Sequence, residues 1–278
     1  MSYGADPTVI EKPAATPSRV SVPSLAAFKV RGEKLAMMTA YDFTFASLLD
    51  RVGMDLLLVG DSLGMVLQGD SSTMAVTVEQ MAYHTKAASR GSKRALVISD
   101  MPALSYATLE RALQTSQTLL AAGAQMLKLE GAGPMIEIAA QLSARDVAIC
   151  AHLGLTPQSL HKLGGFKVQA RENAAAEQLL ADALALEQAG VSLLVLECVP
   201  SAVANAVTSK LRIPTIGIGA GPGCDGQVLV LHDALGLGTH RRPKFVKNFA
   251  ESLNPEQALR NYVLEVKSGA FPGAEHQY

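Results

Sequence analysis

Short apolar runs recur along the chain and alternate with longer stretches of helical periodicity. The runs are rich in Val, Ile and Leu and do not alternate polar with apolar residues, which is typical of strands buried on both faces of a parallel sheet. They predict eight strands, which lie within Leu35–Asp42, Asp55–Ser62, Ala95–Pro102, Gln125–Gly131, Val147–Gly154, Ser192–Pro200, Ile213–Gly221 and Gly226–Asp233.

Five of the intervening stretches predict helices. Several close on a glycine suited to a helix C-terminus. One opens with Thr77 and Gln80, which have the spacing of a capping box. The predicted helices lie within Thr44–Gly53, Thr77–Gly91, Thr108–Gly123, Asn173–Gly190 and Ser201–Leu211.

This alternation of strand and helix predicts βαβ units and an α/β fold. Eight such units in roughly 240 residues fit a (β/α)8 barrel better than a two-domain doubly wound protein. Residues 1–22, rich in Pro, Ala and Ser, predict a flexible N-terminal arm, and residues 23–278 predict a single barrel domain.

Composition narrows the function classes. The chain of 278 residues is 49% apolar, carries a net charge of −1 and has no Trp, so we expect neither nucleic acid nor membrane as partner. Its three cysteines are far apart and show no zinc-ligand spacing. With no secretory signal in the N-terminal segment, they indicate reduced thiols and a cytoplasmic location.

Polar residues follow the predicted strands where each one ends. They are Asp42, Asp61, Asp100, Glu130, His152, Glu197, the glycine cluster Gly217–Gly221 and Asp233. In a parallel barrel these strand ends share the face that carries the active site. For each acid taken alone, a loop position or a helix N-cap is the alternative.

Three of these acids, Asp61, Asp100 and Glu130, follow adjacent strands. Carboxylates brought together repel one another and raise each other's pKa values, and a divalent cation would relieve that repulsion. Oxygen ligands favour a hard ion such as Mg²⁺, whereas Zn²⁺ is disfavoured because no His/Cys pairing accompanies the acids.

Two further charged residues have alternative interpretations. Lys128 points the same way as Glu130, two residues later, so it forms a structural ion pair, contacts a bound carboxylate or acts as a Schiff-base lysine. Glu197 is a candidate general base, or a strand-end acid bonded to backbone amides. His152 is either a ligand contact or a hydrogen-bonded core histidine.

The glycine-rich stretch GIGAGPG, residues 217–223, does not match the dinucleotide fingerprint, because Pro222 and Cys224 occupy the positions that would need glycine. We therefore interpret its glycines, including Gly219, as allowing a substrate to approach the backbone closely.

Long segments resemble the ketopantoate hydroxymethyltransferase family from about Ser24 to Gly273, and the N-terminal arm lies outside the resemblance. The segments are TAYDFTFA, LLVGDSLGMVLQG, AYHT, KLEG, HLGLTPQS, GGFKVQAR, LLVLECVP, IGIGAG and PKFVKNF.

The resemblance implies a TIM barrel of the phosphoenolpyruvate/pyruvate-binding type. It also implies Mg²⁺-dependent transfer of a hydroxymethyl group from 5,10-methylenetetrahydrofolate to 3-methyl-2-oxobutanoate. The product would be 2-dehydropantoate, which begins the route to pantothenate and coenzyme A. One Mg²⁺ per subunit and a homo-oligomer, a homodecamer in the family, are implied with it.

Residue roles follow from the matching motifs. The resemblance assigns the metal to Asp61 and Asp100, with Glu130 reaching it through water. It makes Glu197 the base. The implied substrate-binding residues are Asp61, Ser62, Asp100 and Lys128, with His152, Tyr41 and Gly219 as secondary candidates.

Three alternatives stay open at this point. A Mg²⁺-dependent oxo-acid lyase or mutase on the same barrel would turn over without folate. A Schiff-base aldolase would be trapped by borohydride on Lys128. A catalytically silent barrel would have no need of the charged set.

Overall fold

Eight parallel strands close into a barrel in which each strand pairs with its neighbours in chain order and β8 pairs with β1. The computed structural model describes residues 18–238, 242–251 and 254–278. Each strand falls inside one of the predicted runs, so the predicted (β/α)8 fold is confirmed. The strands are β1 Leu35–Thr39, β2 Leu56–Val59, β3 Leu96–Asp100, β4 Met126–Glu130, β5 Ile149–Gly154, β6 Leu193–Glu197, β7 Thr215–Ile218 and β8 Gly226–Leu229.

Eleven α-helices connect and cover the strands in the described part of the chain. All five predicted helices are present, and the Thr77–Gln80 capping box forms, with each side chain accepting a hydrogen bond from the other's backbone amide. The helices are α1 Val22–Arg31, α2 Phe43–Arg51, α3 Leu63–Val66, α4 Val78–Gly91, α5 Leu109–Ala121, α6 Pro134–Ser143, α7 Leu160–Leu163, α8 Asn173–Gln188, α9 Ser201–Lys210, α10 Leu231–Ala234 and α11 Pro255–Ser268. No helix in these ranges is both long and apolar enough to cross a membrane.

Helix α1 lies at the amino ends of the strands. Leu25 belongs to the apolar cluster inside the barrel, and Lys29 pairs with Asp225, directly before β8, at 2.7 Å. Val20 is also buried in that cluster, and its amide donates to the carbonyl of Arg94 at 2.8 Å. Residues 1–17 of the predicted arm lie outside the described residues, while its last residues lead directly into α1.

A buried ion group at the same face ties α11 to the strands. Asp55, which is fully buried, lies 2.6 Å from Arg94 Nη2 and forms a second ion pair with Lys267 of α11. The backbone amide of Ala36 donates to Oδ2 of Asp55 at 3.0 Å. Because this acid precedes β2 rather than following it, its role is structural.

Alternate residues of each strand face the barrel interior. On β1, Leu35 and Met37 belong to the interior cluster, whereas Ala36 and Met38 pack against the helices. On the strands β3 to β6 the inward-facing positions change from apolar to charged toward the carboxyl ends. These inward positions are Leu96–Ile98–Asp100, Met126–Lys128–Glu130, Cys150–His152 and Leu193–Val195–Glu197.

Candidate active site

Lys128 is the centre of a buried charged cluster at the carboxyl ends of the strands. Its Nζ lies 3.0 Å from Oδ1 of Asp100, 3.4 Å from Oε1 of Glu130 and 3.4 Å from Nδ1 of His152. Burial lowers the pKa of Lys128, but Asp100 and Glu130 together raise it well above its ordinary value. The lysine is therefore a charged ammonium, which is the wrong state for a Schiff-base nucleophile.

His152 bridges two glutamates on either side of β5. Its Nδ1 lies 3.1 Å from Oε1 of Glu130, and its Nε2 lies 3.2 Å from Oε2 of Glu197. Burial and Lys128 lower the pKa of the ring, but the contacts with both glutamates outweigh them and raise it to about 9. Burial likewise raises the pKa of Glu130, yet Lys128 and His152 bring it down to about 2. The pair Glu130–His152 is thus ionised at neutral pH.

Asp61 and Asp100 lie side by side at the ends of β2 and β3. The amide of Asp61 donates to Oδ2 of Asp100 at 3.0 Å. Burial raises the pKa of Asp61 well above its usual range, and the charges of Asp100 and Glu130 raise it further. Burial also raises the pKa of Asp100, against the lowering effect of Lys128. The raised pKa values show that having both aspartates ionised is unfavourable here, so the pair favours a shared proton or a bound cation.

Gln158, in the turn after β5, connects these acids. Its Nε2 donates to Oδ2 of Asp61 at 2.8 Å and to the carbonyl of Met101 at 2.9 Å, and its backbone amide donates to Oε2 of Glu130 at 3.0 Å. Its Oε1 accepts from the hydroxyl of Tyr106, which also accepts from the amide of Glu130. Sequence reasoning missed both residues, because each is uncharged and Gln158 lies four residues beyond the end of β5 at Gly154.

Ser62 stands at the edge of the cluster beside Tyr41. The two hydroxyls are 2.9 Å apart, and Tyr41 is buried. At Gly60 a Cβ atom would lie 2.7 Å from Ser62 Oγ and 3.6 Å from Asp100 Oδ2. The missing side chain of Gly60 therefore leaves room for Ser62 to face the aspartates.

Three other sequence candidates lie away from the cluster or have a different environment. Asp42 is exposed and caps α2 by accepting from the amide of Phe45. Asp233 lies in α10. Gly219 has a φ of +62°, and a Cβ there would come within 2.8 Å of Phe245 and 3.2 Å of Tyr278, so two aromatic rings occupy the space next to it.

The donor set suits a hard cation. Asp100 Oδ1 is buried and has no well-aligned hydrogen-bond partner beside its 3.0 Å ion pair with Lys128, so this atom can contribute to a ligand site. Within the described ranges no three acidic, His or Cys side chains are arranged as a complete metal site. The pair Asp61–Asp100 instead offers one or two carboxylate ligands, as sites that complete their octahedron with water and substrate oxygens do.

A closed parallel barrel with a buried cluster of acids, lysine and histidine at the carboxyl ends of its strands defines a TIM-barrel enzyme. Comparison with known proteins gives the particular family. The chain matches the family model described as "Ketopantoate hydroxymethyltransferase" over residues 19–274. The protein belongs to the ketopantoate hydroxymethyltransferase family.

Individual relatives agree with this assignment. The chain is 55% identical over 260 residues to the 3-methyl-2-oxobutanoate hydroxymethyltransferase of Xanthomonas oryzae pv. oryzae (strain MAFF 311018), covering 93% of this chain and 96% of the relative. Among solved structures, the fold is similar to phosphonopyruvate hydrolase in complex with oxalate and Mg²⁺, with a TM-score of 0.60, 13% identity and coverage of 78% and 83%. It is also similar to 2,3-dimethylmalate lyase, a PEP mutase/isocitrate lyase superfamily member, with a TM-score of 0.57, 18% identity and coverage of 78% and 82%. These structures share the predicted (β/α)8 barrel fold.

Proposed function

We propose that the protein transfers a hydroxymethyl group from 5,10-methylenetetrahydrofolate to 3-methyl-2-oxobutanoate, giving 2-dehydropantoate for pantothenate and coenzyme A synthesis. The observation that carries the proposal is the 55% identity to a relative named for this acceptor and this group, over 93% of the chain. The arrangement of Glu197, His152 and Lys128 around a pair of aspartates supports it, because enolisation of an oxo acid needs a base and stabilisation of negative charge.

The proposed metal is one Mg²⁺ per subunit, held by Asp61 and Asp100, with Glu130 reaching it through water. The pair of buried aspartates with raised pKa values supports this, since a cation would remove their repulsion. A protein of similar fold was solved with oxalate and Mg²⁺. When bound, the ion supplies Lewis-acid polarisation of the substrate's 2-oxo group.

Glu197 is the proposed base for the proton on C3 of the oxo acid. Its side chain is 14% exposed, whereas the side chains of Lys128 and His152 are 4% exposed, so it is the member of the cluster that a substrate can approach. The 3.2 Å contact with His152 Nε2 fixes one of its oxygens and leaves the other to accept the proton.

Lys128 and Ser62 are the proposed substrate contacts. As a charged ammonium, Lys128 pairs with the carboxylate of the oxo acid or with the new hydroxymethyl oxygen, and Ser62, fixed by Tyr41, contacts the substrate beside the aspartates. The C3 carbon then forms its bond to the methylene carbon of the folate. The two C–N bonds that join this carbon to the folate break, one water supplies the hydroxyl oxygen, and the two protons of that water go to the folate nitrogens as tetrahydrofolate leaves. The proton taken from C3 ends on the new hydroxyl.

A homodecamer in the cytoplasm is proposed with this activity. The family resemblance supports the assembly. The three cysteines are all free and buried, which suits a reducing compartment. Light scattering on the purified protein measures the number of subunits directly.

The test is production of 2-dehydropantoate from 3-methyl-2-oxobutanoate, with methylenetetrahydrofolate and Mg²⁺ each supplied and withheld. We expect product only when both are present. Cleavage or rearrangement of an oxo acid without folate would replace the proposal with the lyase or mutase alternative.

A further inference from the structure

The segment Gly273–Tyr278, after α11, lies against the loops that follow β6 and β7. The carbonyl of Tyr278 accepts from the amide of Ser201 at 3.0 Å, and Gln277 Oε1 accepts from the hydroxyl of the same serine at 2.5 Å. Lys244 Nζ donates to the carbonyl of Gln277 at 2.6 Å. Ser201 begins α9 four residues after Glu197, the last residue of β6, so these bonds hold the segment at the catalytic face.

The ring of Tyr278 packs beside the β7 loop. A Cβ atom on Gly219 would lie 3.2 Å from its Cε2, and the ammonium of Lys244 lies 5.4 Å from its centroid. The left-handed conformation of Gly219, with φ +62°, turns the backbone so that the ring can come this close. The ring therefore occupies space beside Gly219, where the sequence had predicted a close approach of the substrate to the backbone.

The phenol of Tyr278 is also within electrostatic range of the proposed base. Burial raises its pKa, and the neighbouring Cys198 and Glu197 raise it further. The amide of Cys198 donates to the carbonyl of Ile218 at 2.9 Å, directly before Gly219, so the ring that packs at Gly219 lies next to the residues at the end of β6. Cys198 itself is only 5% exposed.

We infer that the ring of Tyr278 is the outer wall of the substrate pocket above Glu197 and Cys198, where it limits the access of water to the base. The effect of this wall on catalysis rests on the proposed function, whereas the position of the ring does not. A base shielded from water holds a proton more strongly, and an apolar ring gives the branched oxo acid a surface to pack against.

The first experiment measures the wall without any substrate. A small alkylating reagent is applied to the full-length wild type, Tyr278→Ala and Tyr278→Phe, and the labelling rate of each cysteine is followed by mass spectrometry. We expect Cys198 in Tyr278→Ala to react at least about tenfold faster, because a cover has been removed, with Tyr278→Phe unchanged. Cys150 and Cys224, which are fully buried elsewhere, are internal controls. Equal rates at Cys198 in all three proteins would overturn the inference.

The second experiment measures catalysis. We expect Tyr278→Ala to raise the KM for 3-methyl-2-oxobutanoate about tenfold, the effect of a lost apolar contact in a pocket. Tyr278→Phe should have the KM of wild type. Tyr83→Ala is the matched control, because it removes the same kind of ring from an exposed position (73%), and it should also have the KM of wild type. If the wild type is active and Tyr278→Ala has the same KM, the result contradicts the role of Tyr278 as a wall but leaves the proposed function standing. An inactive wild type contradicts the proposed function, while the labelling rates still decide the wall.

Discussion

The side-chain amide of Gln158 donates a hydrogen bond of 2.8 Å to Oδ2 of Asp61, across the mouth of the barrel from the turn after β5 to the end of β2. Its backbone amide holds Glu130 at the same time. A neutral residue thus fixes the orientation of two acids whose proposed task is to hold a cation, one directly and one through water.

Replacing Gln158 tests this orientation. We expect Gln158→Ala to lower Mg²⁺ affinity and kcat/KM about 10- to 100-fold, as loss of an outer partner of a metal ligand does. Calorimetric titration of the metal gives the affinity without turnover. Gln178→Ala removes a surface amide bonded only to Asp182 and is the matched control. Unchanged metal affinity in Gln158→Ala would contradict the role.

Glu197→Gln keeps the shape of the proposed base and removes its basicity. We expect exchange of the C3 proton of 3-methyl-2-oxobutanoate to slow by about 10²- to 10⁴-fold, the usual contribution of a positioned general base. Proton NMR in heavy water follows this exchange without folate. An exchange rate equal to that of wild type would remove Glu197 from this role.

His152 makes stability depend on pH in the alkaline range. Its pKa is raised to about 9 when folded, compared with about 6.5 for an unfolded histidine. The stabilisation by the charged ring is therefore fully present below about pH 6.5 and is lost as pH rises through about 9. The quantity to follow is the difference in free energy of unfolding between metal-free wild type and His152→Gln, measured by urea titration at each pH. We expect this difference to fall over this range. A difference that stays constant with pH would show that the ring does not carry this charge.

Asp55 is the charge whose loss should cost most stability outside the site. Asp55→Asn leaves Arg94 and Lys267 without their buried partner, so we expect unfolding to become easier by about 3–5 kcal/mol. Glu256→Gln, which breaks the exposed pairs with Arg51 and Arg260, should have a much smaller effect. Thermal and urea unfolding of both variants make the comparison, and equal losses would contradict it.

Two glycines of similar conformation separate backbone strain from steric conflict. Gly53 and Gly154 have φ values of +95° and +91°, but only at Gly154 would a Cβ overlap a neighbour, the carbonyl oxygen of Glu197. We expect Gly53→Ala to lose about 1–2 kcal/mol of stability, the cost of an L-residue in this region. Gly154→Ala should lose more and also slow C3 exchange, because it displaces Glu197. Equal stability losses would show that the strand end adjusts freely.

The strands were predictable because a strand buried on both faces leaves a continuous apolar run. Helix α11 was not among the predicted helices, although its sequence carries the signals of one, with Asn254 as N-cap, Pro255 in the first turn and Gly269 after the end. Only Val22, the first residue of α1, falls within the predicted arm. The helix itself was not predicted, because its apolar contacts are with the barrel interior and no local pattern indicates them.

The charged cluster was predictable in the same way, since strand phase alone placed Asp61, Asp100 and Glu130 on one face. The contacts of Lys128 with Asp100 and of His152 with Glu197 join different strands, so they depend on strand order and register, which the barrel supplied. Gln158 could not be singled out, because an uncharged amide in a turn acquires its partners only when β2 and β5 are brought together. Tyr278 lies eighty-one residues after Glu197 in the chain, and no local pattern joins them.

Helix α1 and the segment Gly273–Tyr278 lie at opposite ends of the barrel, one against the amino ends of the strands and the other against the carboxyl ends. The position of a bulky label therefore matters. A label on α1 lies at the face away from the charged cluster, whereas a label within Gly273–Tyr278 lies beside the loops that follow β6 and β7. Enzyme immobilised on a resin through a residue of α1 keeps its pocket open to small molecules, while coupling through Gly273–Tyr278 turns the pocket toward the support.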